Sequence, residues 1–428
     1  MSFSSTYIGL PWSKEAATSM RRSASEATHR PSIIAPSRSS AEASRSSIDF
    51  DPGEFDSSNY RFPLYSDTFR IAVIGSLNFD HIWVVPRLPQ PSETLMIGKH
   101  RTTPGGKGAI QAIACARLSH TRNAGSDVGV GRFSRRADSA SAPSGRRHSS
   151  MDLKKGDIKV SMIGVVGQDS AGDRIVQALY ADRVDTEHIV QCREEETGRA
   201  SIALGKNGEN NVLVCPGANY KLTPSQIRTD LREGFPHLLI LQMEIPVPTV
   251  EHLIRKAAKE RIPVLLNAAP VMDEFPRELL RSVEHLIVNK LEAEDLLKQR
   301  RTEQEGNREA EIAKGRELCR SLLGMGVKYV VVTMGGHGGV AGTRQQGGEL
   351  HMVDYKAAGV EKVVDTTGCG GVFIGAYAVQ YIRQKFPPGK GFDIDRAVKW
   401  AAKAAALKAQ SFGSLDGIPW EDELEAAA

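Results

Sequence analysis

Short apolar segments that alternate with helical segments constrain the fold of this chain more than any other feature. IAVIG (71–75), HLLILQM (237–243) and KYVVVTM (328–334) are apolar at most successive positions, without the alternation of a strand that has one face in water. Between them lie segments with helical periodicity, such as GGKGAIQAIACARL (105–118) and DIDRAVKWAAKAAALKAQ (393–410). Buried strands that alternate with helices are typical of a parallel sheet covered on both faces. We therefore predict an α/β fold with a mainly parallel central sheet.

A few segments depart from this rhythm and predict a second, smaller sheet. HIWVV (81–85) alternates in polarity, and ASIALG (200–205) and NVLVC (211–215) are joined by a short polar stretch that is typical of a hairpin. We expect these three segments to form a small antiparallel accessory sheet. A further pair of strands, VAGT (340–343) and ELHMVD (349–354), follows a Gly-rich turn.

Composition divides the chain into a folded domain and polar segments. Residues 1–69 are Ser-rich and predict a disordered tail, residues 70–420 carry the folded domain, and residues 421–428 form a second tail. Residues 119–158 hold eight Lys and Arg and four Asp. Their difference, +4, equals the formal net charge of the whole chain. With one aromatic residue, Phe133, this stretch predicts a disordered basic insertion rather than a nucleic-acid surface, where basic and aromatic residues interleave.

Several protein classes are excluded by simple sequence features. No run of about 18 apolar residues is present, so we expect no membrane-spanning helix. The N-terminal residues lack the basic and apolar regions of a secretion signal. The five cysteines are scattered and form no CxxC pair, which argues against zinc and for a reducing compartment. We expect a cytoplasmic protein, with a nuclear or mitochondrial location as the alternative.

In a parallel sheet the ligand site lies beyond the carboxyl ends of the strands. Polar residues that directly follow predicted strands are therefore candidate site residues. These are Asn78, Asp80, Glu244, Asn267, Asn289, Thr333 with Gly335, and the loop 365–371.

Two glycine-rich turns open predicted helices. PGGKG (104–108) can present backbone N–H groups to an anion or a hydroxyl-rich ligand, although a tight turn explains it equally well. It is not a Walker loop, because Arg101 stands where the first Gly belongs and Gly108 follows the Lys. DTTGCGG (365–371) predicts a nest of N–H groups for a phosphoryl group, with a capped helix entry as the alternative. GVGRFS (129–134) lacks the third Gly of a dinucleotide fingerprint, so an NAD-dependent enzyme is disfavoured.

Two further motifs each allow two interpretations. In NKLE (289–292), Asn289 and Glu292 share a helix face and could serve Mg²⁺ through water molecules, but they also fit a capping box. TMGGHGG (333–339) could hold a nucleotide phosphate or could simply connect a hairpin.

Taken together, these motifs resemble the PfkB carbohydrate kinases, most closely the ribokinase type, from about Arg70 to Asp416. GGKGAIQAIACARL resembles the first family signature, and DTTGCGGVFIGAY lies at the second. The segments that follow the family order are GSLNFDHIWVVPRLPQPSETL, VGQDSAGDRI, TGRASIAL, NGENNVLVCPGAN, LQMEIP, LNAAP, NKLEAE and VVTMGGHGGV. The resemblance implies a three-layer α/β/α sandwich with a small β-lid, a homodimer formed through that lid, and phosphorylation of a sugar's primary hydroxyl by MgATP.

The resemblance also implies roles for matching residues. Sugar-binding positions would be Asn78, Asp80, Gly105, Gly106, Lys107 and Glu244. The nucleotide would contact Asn289, Thr333, Gly335 and Gly338, and Asn289 with Glu292 would serve Mg²⁺ through water. Gly368, Cys369 and Gly370 would form the anion hole. Asp365 and Thr366, with Ser411 and Gly413, resemble the family's K⁺ loops.

Two positions depart from the family pattern. The second signature reads D-T-x-G-A-G-D, and its last Asp is the catalytic base, but this chain has Gly371 there. The first signature usually reads G-G-K-G-A-N-Q-A, with an Asn that contacts the sugar, and this chain has Ile110. Two hypotheses follow: a ribokinase-type kinase with impaired turnover, or a catalytically dead relative that binds nucleotide or sugar as a regulator.

Overall fold

A computed structural model gives the structure of residues 68–87, 90, 92–122, 157–205, 210–227, 235–301, 306–345, 347–386 and 391–427. All of these lie in one unit, Tyr60–Ala428. The predicted tail (1–69) and the predicted insertion (119–158) lie almost wholly outside the described residues. The first strand begins three residues before the predicted segment 71–75, at Thr68.

The described chain contains thirteen strands in two sheets. They are β1 (Thr68–Ile74), β2 (Asn78–Val84), β3 (Lys99–Gly105), β4 (Asp157–Gly167), β5 (Asp185–Cys192), β6 (Gly198–Leu204), β7 (Asn210–Cys215), β8 (Leu238–Gln242), β9 (Val264–Asn267), β10 (His285–Asn289), β11 (Tyr329–Thr333), β12 (Gly339–Arg344) and β13 (Leu350–Tyr355). Nine strands form the central sheet, in the order β13-β12-β11-β10-β9-β8-β1-β4-β5. All neighbours in it are parallel except the edge hairpin, where β12 runs antiparallel to β11 and β13.

Helices cover both faces of this sheet. They are α1 (Lys107–Leu118), α2 (Ser170–Ala181), α3 (Val247–Lys259), α4 (Lys290–Leu296), α5 (Arg308–Gly324), α6 (Cys369–Lys385), α7 (Ile394–Lys408) and α8 (Glu421–Ala426). Buried residues of α1, α2, α6 and α7 form one apolar core with the sheet, and those of α3, α4 and α5 form a second core on the opposite face. The three-layer α/β/α prediction is therefore confirmed. None of the helices within the described ranges has the length and apolar character needed to cross a membrane.

The second sheet has the order β3-β2-β6-β7, and our prediction of a purely antiparallel sheet was wrong. β2 and β6 pair in parallel, from Asn78 opposite Gly198 to Val84 opposite Leu204. The intervening chain crosses through β4, α2 and β5, so both strands enter the small sheet from the same end. Parallel neighbours need such a crossover, whereas β6 and β7 are joined by a short hairpin.

Some elements were not predicted. The sequence of β3, KHRTTPG, includes a proline and shows no clean alternation, and α5 carries Gly315 and many charged residues. Residues 421–428, which we expected to be a tail, include α8, whose Leu424 is buried in the core. Helix α2 takes Asp169 as its N-cap, not Ser170, because the Asp169 carboxylate accepts the Gly172 N–H at 2.8 Å.

Candidate active site

The carboxyl edge of the central sheet brings a cluster of buried polar side chains together. Glu244 follows β8, and its carboxylate accepts from Ser76 Oγ at 2.6 Å and from Asn78 Nδ2 at 3.2 Å. Lys107, the first residue of α1, places its Nζ 3.7 Å from Glu244 Oε1. Asn219 Nδ2 donates to Asn78 Oδ1 at 2.8 Å and so fixes that amide. Ser76 and Asn219 were not among the predicted residues, although both lie in or near the quoted motifs.

A second carboxylate, that of Asp80, lies on the same face of the small sheet as Asn78, because the two residues are two apart on β2. Asp80 accepts from Ser414 Oγ, while its other oxygen, Oδ1, is buried with no hydrogen-bond partner among the described residues. A side chain at Gly105 would collide with this carboxylate, so only glycine admits Asp80 here. Burial raises the pKa of Asp80 to about 7, and the nearby Glu244 adds to the rise, while the Ser414 hydrogen bond opposes it. Asp80 therefore changes charge near neutral pH and has an acceptor oxygen to spare.

A line of buried amides continues from this cluster across the sheet edge. Gln242 Nε2 donates to Gln111 Oε1 at 2.6 Å, and Gln111 Nε2 donates to Asn267 Oδ1 at 3.2 Å. Asn267 Nδ2 then donates to the Ile287 carbonyl at 3.0 Å. The strand-end rule selected Asn267, but nothing in the sequence singled out the two glutamines. These contacts fix the side of α1 that faces the sheet edge.

The second glycine-rich turn starts helix α6. Gly368 is the N-cap, with a left-handed φ of 83°, and Cys369 N–H donates to Thr366 O at 3.2 Å. Gly370 and Gly371 follow in the first turn, where N–H groups have no acceptor within the helix. Of the predicted anion-hole N–H groups, that of Cys369 is used within the turn and that of Gly370 is available, while Gly371, which was not in the predicted set, supplies a second available N–H. Burial raises the pKa of the Cys369 thiol to about 11, so it stays neutral.

The two departures from the family signatures touch each other. A Cβ built on Gly371 would lie 2.5 Å from Ile110 Cγ2 and 3.1 Å from Ile110 Cβ. The next nearest side chain is that of Gln111, whose Cγ lies 3.8 Å away. Ile110 therefore fills the space that a side chain at position 371 would need, and no carboxylate among the described residues takes that place. The sequence showed both substitutions, but not that they are in contact.

The small sheet contacts the 365–371 turn and the loop after α7. Asn210 Nδ2 on β7 donates to Thr367 Oγ1 at 3.0 Å. On β3, Arg101 forms an ion pair of 2.5 Å with Asp416, and its guanidinium lies 5.8 Å from the Phe412 ring centroid. With the contact between Asp80 and Ser414, these links hold the small sheet over one side of the site, which is the place expected of a lid.

The predicted Mg²⁺ pair forms a capping box at the start of α4. Asn289 Oδ1 accepts the Glu292 N–H at 2.8 Å, and Glu292 Oε2 accepts the Asn289 N–H at 2.8 Å. Burial raises the pKa of Glu292, and the Lys107 ammonium opposes the rise, so Lys107 acts on both Glu244 and Glu292. Glu292 Oε1 is not used in the box and fits a contact to Mg²⁺ through water, which is the usual mode of binding for this ion.

The turn 333–339 lies at the same edge of the sheet. Thr333 is opposite Asn289 in the β10–β11 register, and Gly335 and Gly338 have left-handed φ values of 54° and 93°. Tyr355 links this turn to α6. Its side chain lies so close to Gly339 that a Cβ there would collide with it, and its ring stacks on that of Phe373 in α6, with the ring centroids 5.8 Å apart. Contacts through Tyr355 and Phe373 therefore link the 333–339 turn to α6, the helix that begins at the second glycine-rich turn, and 333–339 also connects β11 to β12 as a hairpin.

The predicted K⁺ loops do meet, but the residues present do not fit a potassium ion. Asp365 uses both carboxylate oxygens on backbone N–H groups, those of Thr367 at 2.8 Å and Gly413 at 2.9 Å. The Ser411 carbonyl accepts from the ammonium of Lys408, a fully buried residue, at 3.3 Å. An ammonium group therefore already lies at the loop after α7, and its side chain packs beside Gly368 of the 365–368 turn. Lys408 was not among the predicted site residues.

Comparison with known proteins shows the family and the fold. Residues 146–421 match the model of the pfkB family carbohydrate kinases. A ribokinase of Schizosaccharomyces pombe is 30% identical over 354 residues, which cover 82% of this chain and 94% of the relative. A deoxyribokinase of Salmonella typhi is 28% identical over 352 residues, which cover 82% and 95%.

A solved structure has the same fold. The structure of Arabidopsis thaliana ribokinase complexed with ribose and ATP superimposes with a TM-score of 0.61 at 24% identity, and the match covers 84% of this chain and 98% of that one. The family model matches more than half of the chain, and the relatives are matched over nearly their full length. The predicted family is thus confirmed, and this chain belongs to the PfkB family of carbohydrate kinases.

Proposed function

We propose that the protein is an ATP-dependent sugar kinase of ribokinase type that transfers the γ-phosphate to a primary hydroxyl of ribose or a similar sugar, with slow turnover. The observation that carries this proposal is the assembly of Asn78, Asp80 and Glu244 beside two glycine-rich turns at one sheet edge. The names of the relatives, ribokinases and a deoxyribokinase, support a pentose as the acceptor.

Each part of the site has a defined task in this proposal. The sugar hydroxyls are held by Asn78, Asp80, Glu244 and Lys107, with close approach of the backbone at Gly105 and Gly106. The nucleotide lies along Asn289, Thr333, Gly335 and Gly338. The N–H groups of Gly368 and Gly370 face the transferred phosphoryl group, whereas the predicted third donor, Cys369, keeps its N–H bonded to Thr366 O. Mg²⁺ is held through water near Asn289 and Glu292, and when bound it neutralises charge on the phosphates.

Slow turnover follows from the absence of a carboxylate at Gly371. A general base contributes about 10²–10⁴-fold, or roughly 3–5 kcal/mol of barrier. Phosphoryl transfer depends mainly on positioning and charge stabilisation, which the backbone N–H groups still supply. A residual rate is therefore expected. Ile110 lowers it further, because an apolar side chain stands where the family places an amide for the sugar.

The alternative, a catalytically dead regulator, is favoured by the contact between Ile110 and Gly371. Ile110 occupies the space that a side chain at position 371 would need, so the two departures from the family signatures form one stable packing contact. A regulator of this kind would bind MgATP or the sugar without turnover.

Two measurements on the natural chain test the proposal. Isothermal calorimetry with D-ribose, and separately with a non-hydrolysable MgATP analogue, is expected to show binding of both. Release of ADP at high protein concentration is expected with ribose or deoxyribose and not without sugar. Binding of both ligands with no sugar-dependent ADP release would establish the regulator instead, and binding of neither would contradict both functions.

We also propose that the lid forms a homodimer. Its outer face carries stacked rings, with the Trp83 and His100 centroids 3.9 Å apart. Leu213 on β7 is 76% exposed and shares this face with His81, since both stand opposite Ser201 in register. An outer face that exposes stacked rings and a leucine on a four-stranded sheet is a surface that a second copy can cover.

The dimer is tested by light scattering after gel filtration. The natural chain is expected at twice its mass of 46.5 kDa, and Leu213→Glu is expected at 46.5 kDa, because a charge would be buried in the interface. Tyr180→Glu, at a 63% exposed residue on α2, is the matched control and should remain dimeric. A monomeric natural chain would refute this part of the proposal.

A further inference from the structure

Lys408, the last residue of helix α7, is fully buried. Lysine is almost never fully buried unless it is paired, so its position calls for a reason. Its Nζ donates to the Ser411 carbonyl at 3.3 Å. Its stem packs against the start of α6, where a Cβ on Gly368 would lie 3.6 Å from Lys408 Cε. The ammonium thus lies between the loop after α7 and the turn that presents the anion-hole N–H groups.

The surroundings of this ammonium are acidic and closed. Asp365 is fully buried, and both its oxygens bind backbone N–H groups, one from each of the two loops. A buried carboxylate is costly unless a positive charge lies near it. Burial lowers the pKa of the Lys408 ammonium, and the Asp365 and Asp416 carboxylates oppose that lowering.

We propose that the Lys408 ammonium is a built-in monovalent cation that replaces K⁺ between the 365–368 turn and the 411–414 loop. Like a potassium ion, an ammonium carries one positive charge and binds oxygen acceptors, here the Ser411 carbonyl. Unlike a bound ion, it is tethered to α7 and cannot dissociate. The 365–368 turn is therefore ordered without a bound K⁺.

Lys408 acts as a positioning residue in this proposal. It is fully buried, so it reaches the transferred phosphate only through the turn that it holds. Gly368, against which its stem packs, is the N-cap that sets the direction of the N–H groups of Gly370 and Gly371. The effect on phosphoryl transfer depends on the proposed kinase function, but the ordering of the turn does not.

The first experiment uses the natural chain. Its melting temperature and its affinity for a non-hydrolysable MgATP analogue are measured in KCl, NaCl and tetramethylammonium chloride at equal ionic strength. We expect the same values in all three salts. A higher melting temperature or tighter nucleotide binding in KCl alone would overturn the proposal, because it would show a site that still needs the ion.

The second experiment removes the charge with and without removing the stem. In tetramethylammonium chloride, Lys408→Ala is expected to melt about 4 °C or more below the natural chain and to bind the nucleotide analogue about tenfold more weakly. KCl should restore both values, because the vacated space beside Asp365 admits the ion. Lys408→Met should show the same losses without restoration, because its stem still fills the space.

The matched control is Lys399→Ala, at a 62% exposed lysine of the same helix that pairs with Asp395. This variant should behave as the natural chain in every salt. A folded Lys408→Ala protein that K⁺ fails to restore would refute the proposal. Should Lys408→Ala not fold, the salt comparison of the natural chain and of Lys408→Met decides. Restoration by K⁺ in a protein that shows no sugar-dependent ADP release would support this inference while contradicting the proposed kinase activity.

Discussion

The double variant Gly371→Asp with Ile110→Asn is expected to phosphorylate a pentose about 10²–10⁴ times faster than the natural chain, because it restores a general base at the start of α6. The backbone N–H groups of that turn, the proposed sugar-binding residues and the proposed nucleotide turn are already in place. What the family signatures have and this chain lacks is the group that accepts the hydroxyl proton, together with the amide that contacts the sugar. The measurement is kcat for sugar-dependent ADP release at saturating ATP.

Gly371→Asp alone is expected to recover much less. Its Cβ would lie 2.5 Å from Ile110 Cγ2, and the side chain of a β-branched residue within a helix has little freedom to move aside. The new carboxylate would be displaced from the acceptor hydroxyl, or the start of α6 would shift. Ile110→Asn removes the branched side chain and returns an amide to the sugar side.

The control is Gly371→Asn with Ile110→Asn, which has the same shape but no base. It should gain sugar affinity without the increase in kcat. A double Asp variant that binds ribose and MgATP but still does not turn over would show that other parts of the site have changed, and would favour the regulator. The ratio of the kcat values of the two double variants isolates the contribution of the carboxylate to the rate.

The affinity for the sugar is expected to fall about tenfold when the pH is lowered from 8 to 6, since Asp80, with a raised pKa of about 7, must be ionised to accept hydroxyl hydrogen bonds. Its oxygen Oδ1 has no hydrogen-bond partner among the described residues and can accept from a hydroxyl. Calorimetric titration with ribose across this pH range measures the effect. Asp80→Asn should weaken binding and remove the pH dependence.

The stability of the sugar-free protein should change in the opposite sense. A carboxyl group whose pKa is raised by folding binds its proton more tightly in the native state, so its stabilising contribution is complete below about pH 4 and is lost as the pH rises through about 7. When the pH rises from 6 to 8, the ionisation of this group alone is expected to lower the free energy of unfolding by about 1.4 kcal/mol.

Asp80→Asn provides the control for stability as well, because it cannot ionise. The difference in melting temperature between this variant and the natural chain should grow in favour of the variant from pH 6 to pH 8. An affinity for ribose that does not change with pH, together with a pH-independent difference in melting temperature, would contradict the raised pKa of Asp80.

Most of the central sheet could be read from local patterns. Apolar runs of four or five residues, separated by periodic helical segments, mark strands buried on both faces, and the helices between them make those strands parallel. Polar residues at the ends of such runs, Glu244, Asn289 and Thr333 among them, necessarily meet at one edge. The position of the candidate cleft could therefore be predicted from the amino-acid sequence.

Elements with weak local signals were missed. Strand β3 contains a proline and gains its place only by pairing with β2, and helix α5 has a glycine in its middle where Val340 approaches. The parallel pairing of β2 with β6 was also not foreseen. It depends on the path of about a hundred intervening residues, which no short window of sequence contains.

Most of the order of strands and helices, the family, and the glycine at position 371 were all decided by the amino-acid sequence, because each depends on residues that are close together in the chain. Two findings needed the folded chain: that Ile110 occupies the space beside Gly371, and that Lys408 brings its charge to the loops expected to hold K⁺. The first joins helices α1 and α6, and the second joins the end of α7 to the Gly368 turn at the start of α6. Such contacts arise from long-range packing, which local periodicity does not encode.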